Sequence, residues 1–264
     1  PLPALFVKER YYESELTRKQ EKISLMGSLK ETLRCRAFLI LCVVTILFLL
    51  GTSIFDSYGR YVGTYYVLGG EWGRASWFVG LGTVTYTVVS LIMIQVFKSL
   101  SEKIGKNNCL FISLGLVLFS VSITWWTNHP SYPYLMLINS FFVGAGYAGL
   151  WLMIPSMQVD VVDLDELNTG RRREGSFASI FSWVLKLSFC LGFMLSGPLL
   201  EWTGFSDDLQ GAELERALTH MRIGYVVLPV TALVMAAILL KSFPLNAARL
   251  AAIRVELEAR RGKV

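Results

Sequence analysis

Six long runs of apolar residues, separated by short polar connections, dominate the sequence. They cover residues 37–68, 75–97, 109–126, 133–157, 175–200 and 221–240. About 20 mostly apolar residues in a helix cross the hydrocarbon core of a bilayer, and each run reaches or approaches that length. Because a single soluble domain cannot bury six such helices, the pattern predicts an all-α membrane protein with six transmembrane helices.

The composition supports this fold class and excludes several others. Apolar residues make up 53% of the chain and charged residues 17%, whereas soluble chains average roughly 25% charged residues. These values exclude a disordered chain, a collagen-like chain and an ordinary cytosolic enzyme. The two histidines have no metal-ligand spacing and form no recognisable catalytic set, so we expect neither enzymatic activity nor a cofactor.

Positive charges are distributed unevenly between the two sides of the predicted bundle. Twenty of the 25 Lys and Arg residues fall in the leader, the second-to-third and fourth-to-fifth connections and the tail, and three fall in the opposite connections. Lys and Arg accumulate in cytoplasmic loops, so both termini of this segment are predicted to be cytoplasmic in a multi-pass protein of the cell membrane. The net charge of +5 therefore reflects contact with the bilayer, and no nucleic-acid partner is expected.

Lys186 is a charged residue about halfway along the fifth run. It lies 11 residues into that run, about 16 Å from the cytoplasmic end at the rise of an α-helix. Placing a charge there costs roughly 2.5–3.5 kcal/mol, which indicates either a functional charge in an aqueous pathway or a structural ion pair. Asp56 is expected to lie too far outward to be its partner, so the partner is expected outside this chain.

Polar and aromatic residues in the runs mark candidate substrate contacts. Asp56 and Arg60 stand one helical turn apart and can pair, either as a structural pair or as substrate contacts near the outer interface. The candidate substrate-binding residues are Lys186, Ser182, Trp151, Asn139, Asp56 and Arg60. In the fourth run, the small residues Gly144, Gly146 and Gly149 predict close helix packing rather than a nucleotide-binding loop.

A dense cluster of opposite charges follows the fourth run, which Pro155 is expected to break near its inner end. The cluster consists of Asp160, Asp163, Asp165, Glu166, Arg171, Arg172, Arg173 and Glu174. The C-terminal end of a helix is electrically negative, so the first four carboxylates are unfavourable unless the arginine triplet pairs with them. The cluster predicts a cytoplasmic latch, closed in one conformation and open in another; a merely solvated loop is the alternative.

The segment MQVDVVDLDELNTGRRREGSFASIFSWVLKLSFCLG resembles the glycoside–pentoside–hexuronide:cation symporters, melibiose-carrier-like proteins of the major facilitator superfamily. The family pattern is close to D-x-V-D-x-x-E-x-x-T-G-x-R-x-E-G, followed by an apolar span with a lysine. Residues 65–69 and 98–106 also look like the family's seventh helix end and its eighth-to-ninth loop. The resemblance covers residues 37–249.

This resemblance implies helices seven to twelve of a twelve-helix carrier. It implies a central cytoplasmic loop at residues 1–36 and a six-helix bundle at 37–241, followed by a cytoplasmic tail at 242–264. In the tail, the helical spacing of Leu250, Ile253 and Leu257 predicts a weak amphipathic helix. In the family, the lysine of helix eleven lies by the sugar and cation sites; Lys186 occupies that position, and Ser182 occupies one that can face the sugar. The resemblance also implies an N-terminal six-helix bundle as partner, which would hold most of the site for a coupling Na⁺ or H⁺.

The sequence therefore predicts a secondary active transporter, the C-terminal half of a carrier whose two bundles rock around a central site. The expected activity is cation-coupled symport of a glycoside, pentoside or hexuronide sugar. Two alternatives stay open: a carrier of a lysolipid or another amphiphile with the same fold, and a non-transporting membrane scaffold or sensor.

Overall fold

The computed structural model describes residues 31–206 and 208–261, and the leader before Glu31 lies outside them. In this part of the chain we number the α-helices α1 (Arg36–Tyr61), α2 (Trp72–Ile104), α3 (Lys106–Thr127), α4 (Met136–Thr169), α5 (Glu174–Trp202), α6 (Gly211–Leu240) and α7 (Ala247–Arg261). A π-helical turn, Val62–Val67, extends α1, and a 3-10 turn, Pro133–Leu135, precedes α4.

The first six helices are long and apolar enough to cross a membrane. They confirm the predicted all-α membrane fold with six spanning helices in the predicted order. Gly105 separates α2 from α3 with a backbone φ of 84°, a conformation that side-chain-bearing residues rarely adopt and that ends a right-handed helix. The chain therefore reverses direction within a single residue.

Helix α4 is longer than the sequence pattern predicts. It continues through Pro155 to Thr169 and ends at Gly170, whose φ of 69° places it in the left-handed region. Both the expected break at Pro155 and the position of the acidic residues beyond the helix end are therefore wrong: Asp160 to Glu166 lie within the helix. Spanning helices tolerate proline because neighbouring groups satisfy the backbone that it frees.

The six helices form an open arc in which each packs on specific neighbours. Helix α3 packs on α4 and α6, α1 packs on α5 and α6, and α2 packs on α4. At the α3–α4 contact, a Cβ built on Gly146 would lie 2.8 Å from the carbonyl oxygen of Ser113; on Gly144 it would lie 2.7 Å from that of Tyr86 on α2. These distances confirm the predicted close packing at the glycines of α4.

Helices α2 and α5 form the two ends of the arc and are the least buried. In their most apolar stretches, 6% of the α2 residues and 17% of the α5 residues are buried, against 67% for α1. Each has a neighbour on one side only, since α2 packs mainly on α4 and α5 mainly on α1. The bundle therefore presents two helical surfaces that the described residues do not cover.

Helix α7 lies against the end of the bundle where α2 meets α3, which we call the basic end. Its apolar residues Ile253 and Leu257 are buried and belong to the main hydrophobic core, and the helix contacts α4. The tail thus docks on the protein through the apolar face that helical spacing gives it.

Candidate functional site

A cavity of about 440 Å³ opens among α1, α2, α4 and α6, in the half of the bundle opposite the basic end. Asp56 and Arg60 of α1 line one wall, and Tyr86 of α2 lies on another. Tyr147 of α4 and Tyr225 of α6 complete its aromatic lining. The site is thus assembled from helices that are distant in sequence, each of which is long enough to span a membrane.

Asp56 and Arg60 do not pair with each other. Both side chains are open to the cavity, but no ion pair joins them among the residues that the structure describes. The two charges are nevertheless close enough to interact electrostatically, and Tyr86, Tyr147 and Tyr225 line the same cavity. Both charged groups therefore remain available to a polar ligand.

The floor of the cavity rests on a buried polar network at the α3–α4 junction. The hydroxyl of Thr127 donates to Oδ1 of Asn139 over 3.0 Å, and Nδ2 of Asn139 donates to Oδ1 of Asn128 over 3.3 Å. The hydroxyl of Ser120 donates to the backbone oxygen of Asn139 over 3.1 Å. Because protein groups bind its side-chain amide, Asn139 holds the ends of α3 and α4 together at the floor of the cavity.

Aromatic rings line the same cavity and hold one another in place. Phe55 stacks on Tyr225 with ring centroids 4.6 Å apart and planes 14° apart. Tyr86 meets Tyr147 edge to face, with centroids 5.8 Å apart. Flat aromatic faces beside hydroxyl and charged groups suit a ligand that has both apolar and hydroxyl-bearing faces.

Lys186, Ser182 and Trp151 lie elsewhere, on exposed surfaces of α5 and α4. Lys186 stands 12 residues after Glu174, the start of α5, about 18 Å along the helix. Its ammonium lies 5.6 Å from the ring centroid of Trp183, and it forms no ion pair within residues 31–206 and 208–261. The structure thus divides the six predicted substrate residues between the cavity (Asp56, Arg60, Asn139) and these surfaces.

The charged cluster at the end of α4 contains one buried ion pair. Arg173 donates to both carboxylate oxygens of Asp165, from Nε over 3.0 Å and from Nη2 over 2.6 Å, and it also pairs with Glu31. Burial opposes charge on Arg173, but the hydrogen bonds with Asp165 and the negative charges of Asp165 and Glu31 together outweigh this effect and raise the pKa of the guanidinium. The link joins the start of α5 to the last turn of α4 and to the segment before α1.

Arg172 makes a second, exposed set of contacts in this cluster. It pairs with Glu174 at the start of α5 and lies 3.9 Å from a carboxylate oxygen of Glu166. The hydrogen bond with Glu174 raises the pKa of Arg172. The predicted pairing of the arginine triplet with the acidic residues therefore holds for Arg172 and Arg173, while Asp163 and Arg171 take part in further interactions.

Asp160 has other partners than the arginine triplet. The ammonium of Lys106, at the start of α3, donates to its Oδ2 over 2.6 Å, and Arg254 of α7 donates to its Oδ1 over 3.1 Å. The expectation that the triplet neutralises Asp160 is therefore wrong. Asp160 lies almost three helical turns before the triplet, and the fold brings two distant cations closer.

Sequence reasoning missed Tyr86, Tyr147 and Tyr225 as cavity residues. Each is a single tyrosine in an apolar helix, and nothing local distinguishes one that lines a cavity from one that faces lipid. Asn128 was missed for a different reason, because it lies in a connection, just after α3. Across the part of the chain that the structure describes, no three His, Cys, Asp or Glu residues gather as metal ligands.

Comparison with known proteins places this fold in a family. The family described as MFS/sugar transport protein matches residues 2–247. An uncharacterized symporter of Synechocystis sp. is 32% identical over 185 residues, which are 68% of this chain and 34% of that protein. A protein of Escherichia coli K12 provisionally named as a sulfoquinovose importer is 25% identical over 262 residues, 97% of this chain and 53% of that protein.

A third relative, the isoprimeverose transporter of Lactiplantibacillus pentosus, is 26% identical over 171 residues, 63% of this chain and 33% of that protein. The chain thus spans between a third and about half of the length of these curated relatives. With six membrane-crossing helices and a family match along most of its length, the chain belongs to the MFS/sugar transport family, a family of membrane transporters and not of enzymes.

Proposed function

We propose that this chain supplies one six-helix bundle of a secondary active transporter that carries a sugar together with a cation. The observation that carries the proposal is the cavity of about 440 Å³ inside a membrane-spanning bundle, lined by an unpaired carboxylate, a guanidinium and aromatic rings. Polar groups at membrane depth are costly and mark substrate or ion pathways. The family match supports the same class of activity.

A second six-helix bundle would complete the transporter by covering α2 and α5. These two helices are the least buried of the six, and the curated relatives are about two to three times as long as the matched segments. In such carriers, two bundles rock around a site at their interface. Lys186 and Ser182 on α5 and Trp151 on α4 would then face the central pathway.

The substrate would be a glycoside, pentoside or hexuronide. Two relatives are named for the import of sulfoquinovose and the transport of isoprimeverose, which supports a sugar substrate for this chain. Asp56 can accept hydrogen bonds from sugar hydroxyls, and Arg60 can donate to ring or carboxylate oxygens. The stacked pair of Phe55 and Tyr225 offers a flat apolar surface.

Coupling to Na⁺ or H⁺ would run through Lys186. An ammonium without an anionic partner among the described residues needs one in the membrane interior, and carboxylates of the other bundle would provide it. Binding of the cation would compete with Lys186 for those carboxylates. Lys186 would in this way link occupancy by the cation to the sugar site.

The charged cluster at the basic end would act as the cytoplasmic gate. Its ion pairs join α3, α4, α7 and the start of α5, so they would stabilise the outward-facing state, in which the cytoplasmic side is closed. The excess of Lys and Arg at this end supports a cytoplasmic location for it and for both termini.

Sugar uptake into proteoliposomes that contain the full-length protein tests this function. Radiolabelled glycosides, pentosides and hexuronides are supplied with a Na⁺ or a H⁺ gradient. We expect one sugar class to accumulate with one gradient, Lys186→Ala to lower gradient-driven uptake at least tenfold, and Asp56→Asn to raise the KM for the sugar. Lys98→Ala, which removes an exposed charge from α2, is the matched control and should transport normally.

Three outcomes would contradict the proposal. Uptake that is unchanged in both Lys186→Ala and Asp56→Asn would remove the mechanism, and binding of sugar without flux would indicate a scaffold or sensor. Uptake of a lysolipid that free sugars fail to inhibit would indicate an amphiphile carrier.

A further inference from the structure

A second cavity, of about 240 Å³, lies at the basic end among the α2–α3 turn, α4 and α7. Its polar lining consists of Ser101, Lys106, Asn107, Asn108, Asp160, Asn246 and Arg254. It is separate from the larger cavity, with which it shares no residue. The transport mechanism proposed above uses its ion pairs for gate closure and leaves the cavity itself without a role.

This cavity has an excess of positive charge. Asp160 is its one carboxylate, and both of its oxygens are already engaged, by Lys106 and by Arg254. An ammonium has three donors and a guanidinium five; Lys106 also donates to the backbone oxygen of Ser156 over 3.1 Å, and Arg254 uses one donor. Donors therefore remain for a further anion.

Two helices begin at the same cavity and add to this excess. Helix α3 starts at Lys106 and α7 starts at Ala247, and both residues line the cavity. The N-terminal end of a helix carries a partial positive charge and free backbone N–H groups; at the start of α7, the side-chain oxygen of Asn246 already accepts from the N–H of Arg249. Together with the two cationic side chains, they favour a phosphate-like group.

Asn107 gives an independent indication of a missing ligand. Its side-chain oxygen is buried and has no hydrogen-bond partner, which costs about 1–3 kcal/mol for a polar group. Asn107 lines the cavity, and rotation of its amide would bring this oxygen within reach of a ligand that carries a hydroxyl group beside its phosphate.

The cavity also continues into an exposed apolar surface of α3. Asn108 lies at its rim, and Ile112, Phe119 and Trp126 follow on the same exposed side of α3. Spacings of four, seven and seven residues keep these side chains on one face. Ile112 and Trp126 are about 21 Å apart along the helix, more than the roughly 15 Å depth of one leaflet.

We propose that this cavity binds the headgroup of an anionic phospholipid that carries hydroxyl groups, as phosphatidylglycerol does. Lys106, Arg254 and the two helix starts hold the phosphate, a headgroup hydroxyl donates to Asn107, and an acyl chain lies along α3. Basic pockets between membrane helices are known to take such headgroups. The proposal is independent of whether the protein transports a sugar.

Native mass spectrometry of the full-length protein, titrated with phosphatidylglycerol and with phosphatidylcholine, tests the site. We expect phosphatidylglycerol to bind preferentially and Arg254→Gln to lower that preference about fivefold, as is typical for one basic residue near a membrane surface. Arg260→Gln is the matched control, because Arg260 lies on the same helix with similar exposure, 51% against 56% for Arg254, but outside the cavity. It should change the preference less than twofold.

Asn107→Ala provides a second variant, chosen because the amide oxygen of Asn107 has no protein hydrogen-bond partner to lose. It should weaken phosphatidylglycerol binding about threefold without affecting phosphatidylcholine. Equal binding of the two lipids to the unmodified protein would overturn the proposal, as would equal losses in Arg254→Gln and Arg260→Gln. Displacement of phosphatidylglycerol by millimolar inorganic phosphate would overturn the lipid assignment in favour of a free-anion site.

Discussion

At the basic end of the bundle, two buried aspartates of α4 are neutralised in different ways. Asp165 pairs with Arg173, and both side chains are at most 7% exposed, whereas Asp160 pairs with Lys106 and the largely exposed Arg254. A buried charge that loses its partner lowers the free energy of unfolding strongly, whereas an exposed charge that loses its partner is solvated by water. The individual pairs therefore differ widely in their importance for stability.

Arg173→Ala should be strongly destabilising. It leaves Asp165 buried without its bidentate partner, which we expect to cost about 3–5 kcal/mol of unfolding free energy. Reversible unfolding of the full-length protein in mixed micelles measures this loss. Arg172→Ala is the control: this side chain is 46% exposed, so its removal should cost less than about 1 kcal/mol. Similar losses in both variants would show that the Arg173–Asp165 pair is not effectively buried.

Arg222 should be sensitive to replacement even by lysine. Its guanidinium lies between two rings, 4.1 Å from the centroid of Tyr66 and 4.2 Å from that of Trp125, and it donates to the backbone oxygen of Trp125. Only a planar cation stacks on both faces, so Arg222→Lys should cost about 1 kcal/mol in the same unfolding assay. Arg216→Lys, at an exposed position of the same helix, should have no measurable effect.

Among the helices, α3 and α4 are held together by contacts that only glycine permits. Gly146 faces the backbone of α3 so closely that a methyl group would overlap Val117 and the Ser113 carbonyl. Small residues in membrane helices allow this approach and the van der Waals attraction that comes with it. The same helix carries Asn139 into the wall of the larger cavity, so the α3–α4 contact also positions the candidate site.

Gly146→Ala should therefore force α3 and α4 apart. We expect a loss of about 1–3 kcal/mol from overpacking, together with weaker sugar binding. Gly115→Ala is the control, because a Cβ there would meet nothing within 4 Å, and replacing glycine in a helix should be neutral or slightly stabilising. Thermal unfolding and ligand-binding measurements on both variants check this; equal stability would contradict the close packing of α3 and α4.

The six-helix bundle is an open arc in which α2 and α5 are sparsely covered. Its basic end carries many more Lys and Arg residues than the opposite end. The basic end contains Lys103 near the end of α2, and Arg74 lies near the start of the same helix, at the opposite end. The asymmetry of Lys and Arg between connections normally sets the orientation in the membrane. The orientation of the bundle in the membrane can thus be tested with Arg74 and Lys103, which lie near the two ends of α2.

Labelling of intact cells with a membrane-impermeant thiol reagent tests this topology. In a full-length variant that lacks its native cysteines, Arg74→Cys should react from outside, and Lys103→Cys should react only after the membrane is permeabilised. Both side chains are solvent-exposed, so a difference in labelling would reflect the side of the membrane. The reverse pattern would place both termini of this segment outside the cytoplasm.

The fold class, the number and order of the spanning helices and the close packing at the glycines of α4 could all be predicted from the sequence. These features follow from the periodicity and length of apolar runs, which are local properties because lipid obliges each segment to satisfy its own backbone hydrogen bonds. Because backbone groups must be hydrogen-bonded in lipid, α4 continues through Pro155, where a rule taken from soluble helices predicted a break.

Which polar residues lie next to one another could not be predicted from the sequence, because it depends on how the helices pack. Asp56, Tyr86, Tyr147 and Tyr225 come from four helices, and Asp160 receives cations from α3 and α7 that lie 54 and 94 residues away in sequence. Such contacts depend on which face each helix turns to its neighbours. Each of these helices has so many apolar positions that the sequence pattern leaves this rotation undetermined, and side-chain packing between helices fixes it.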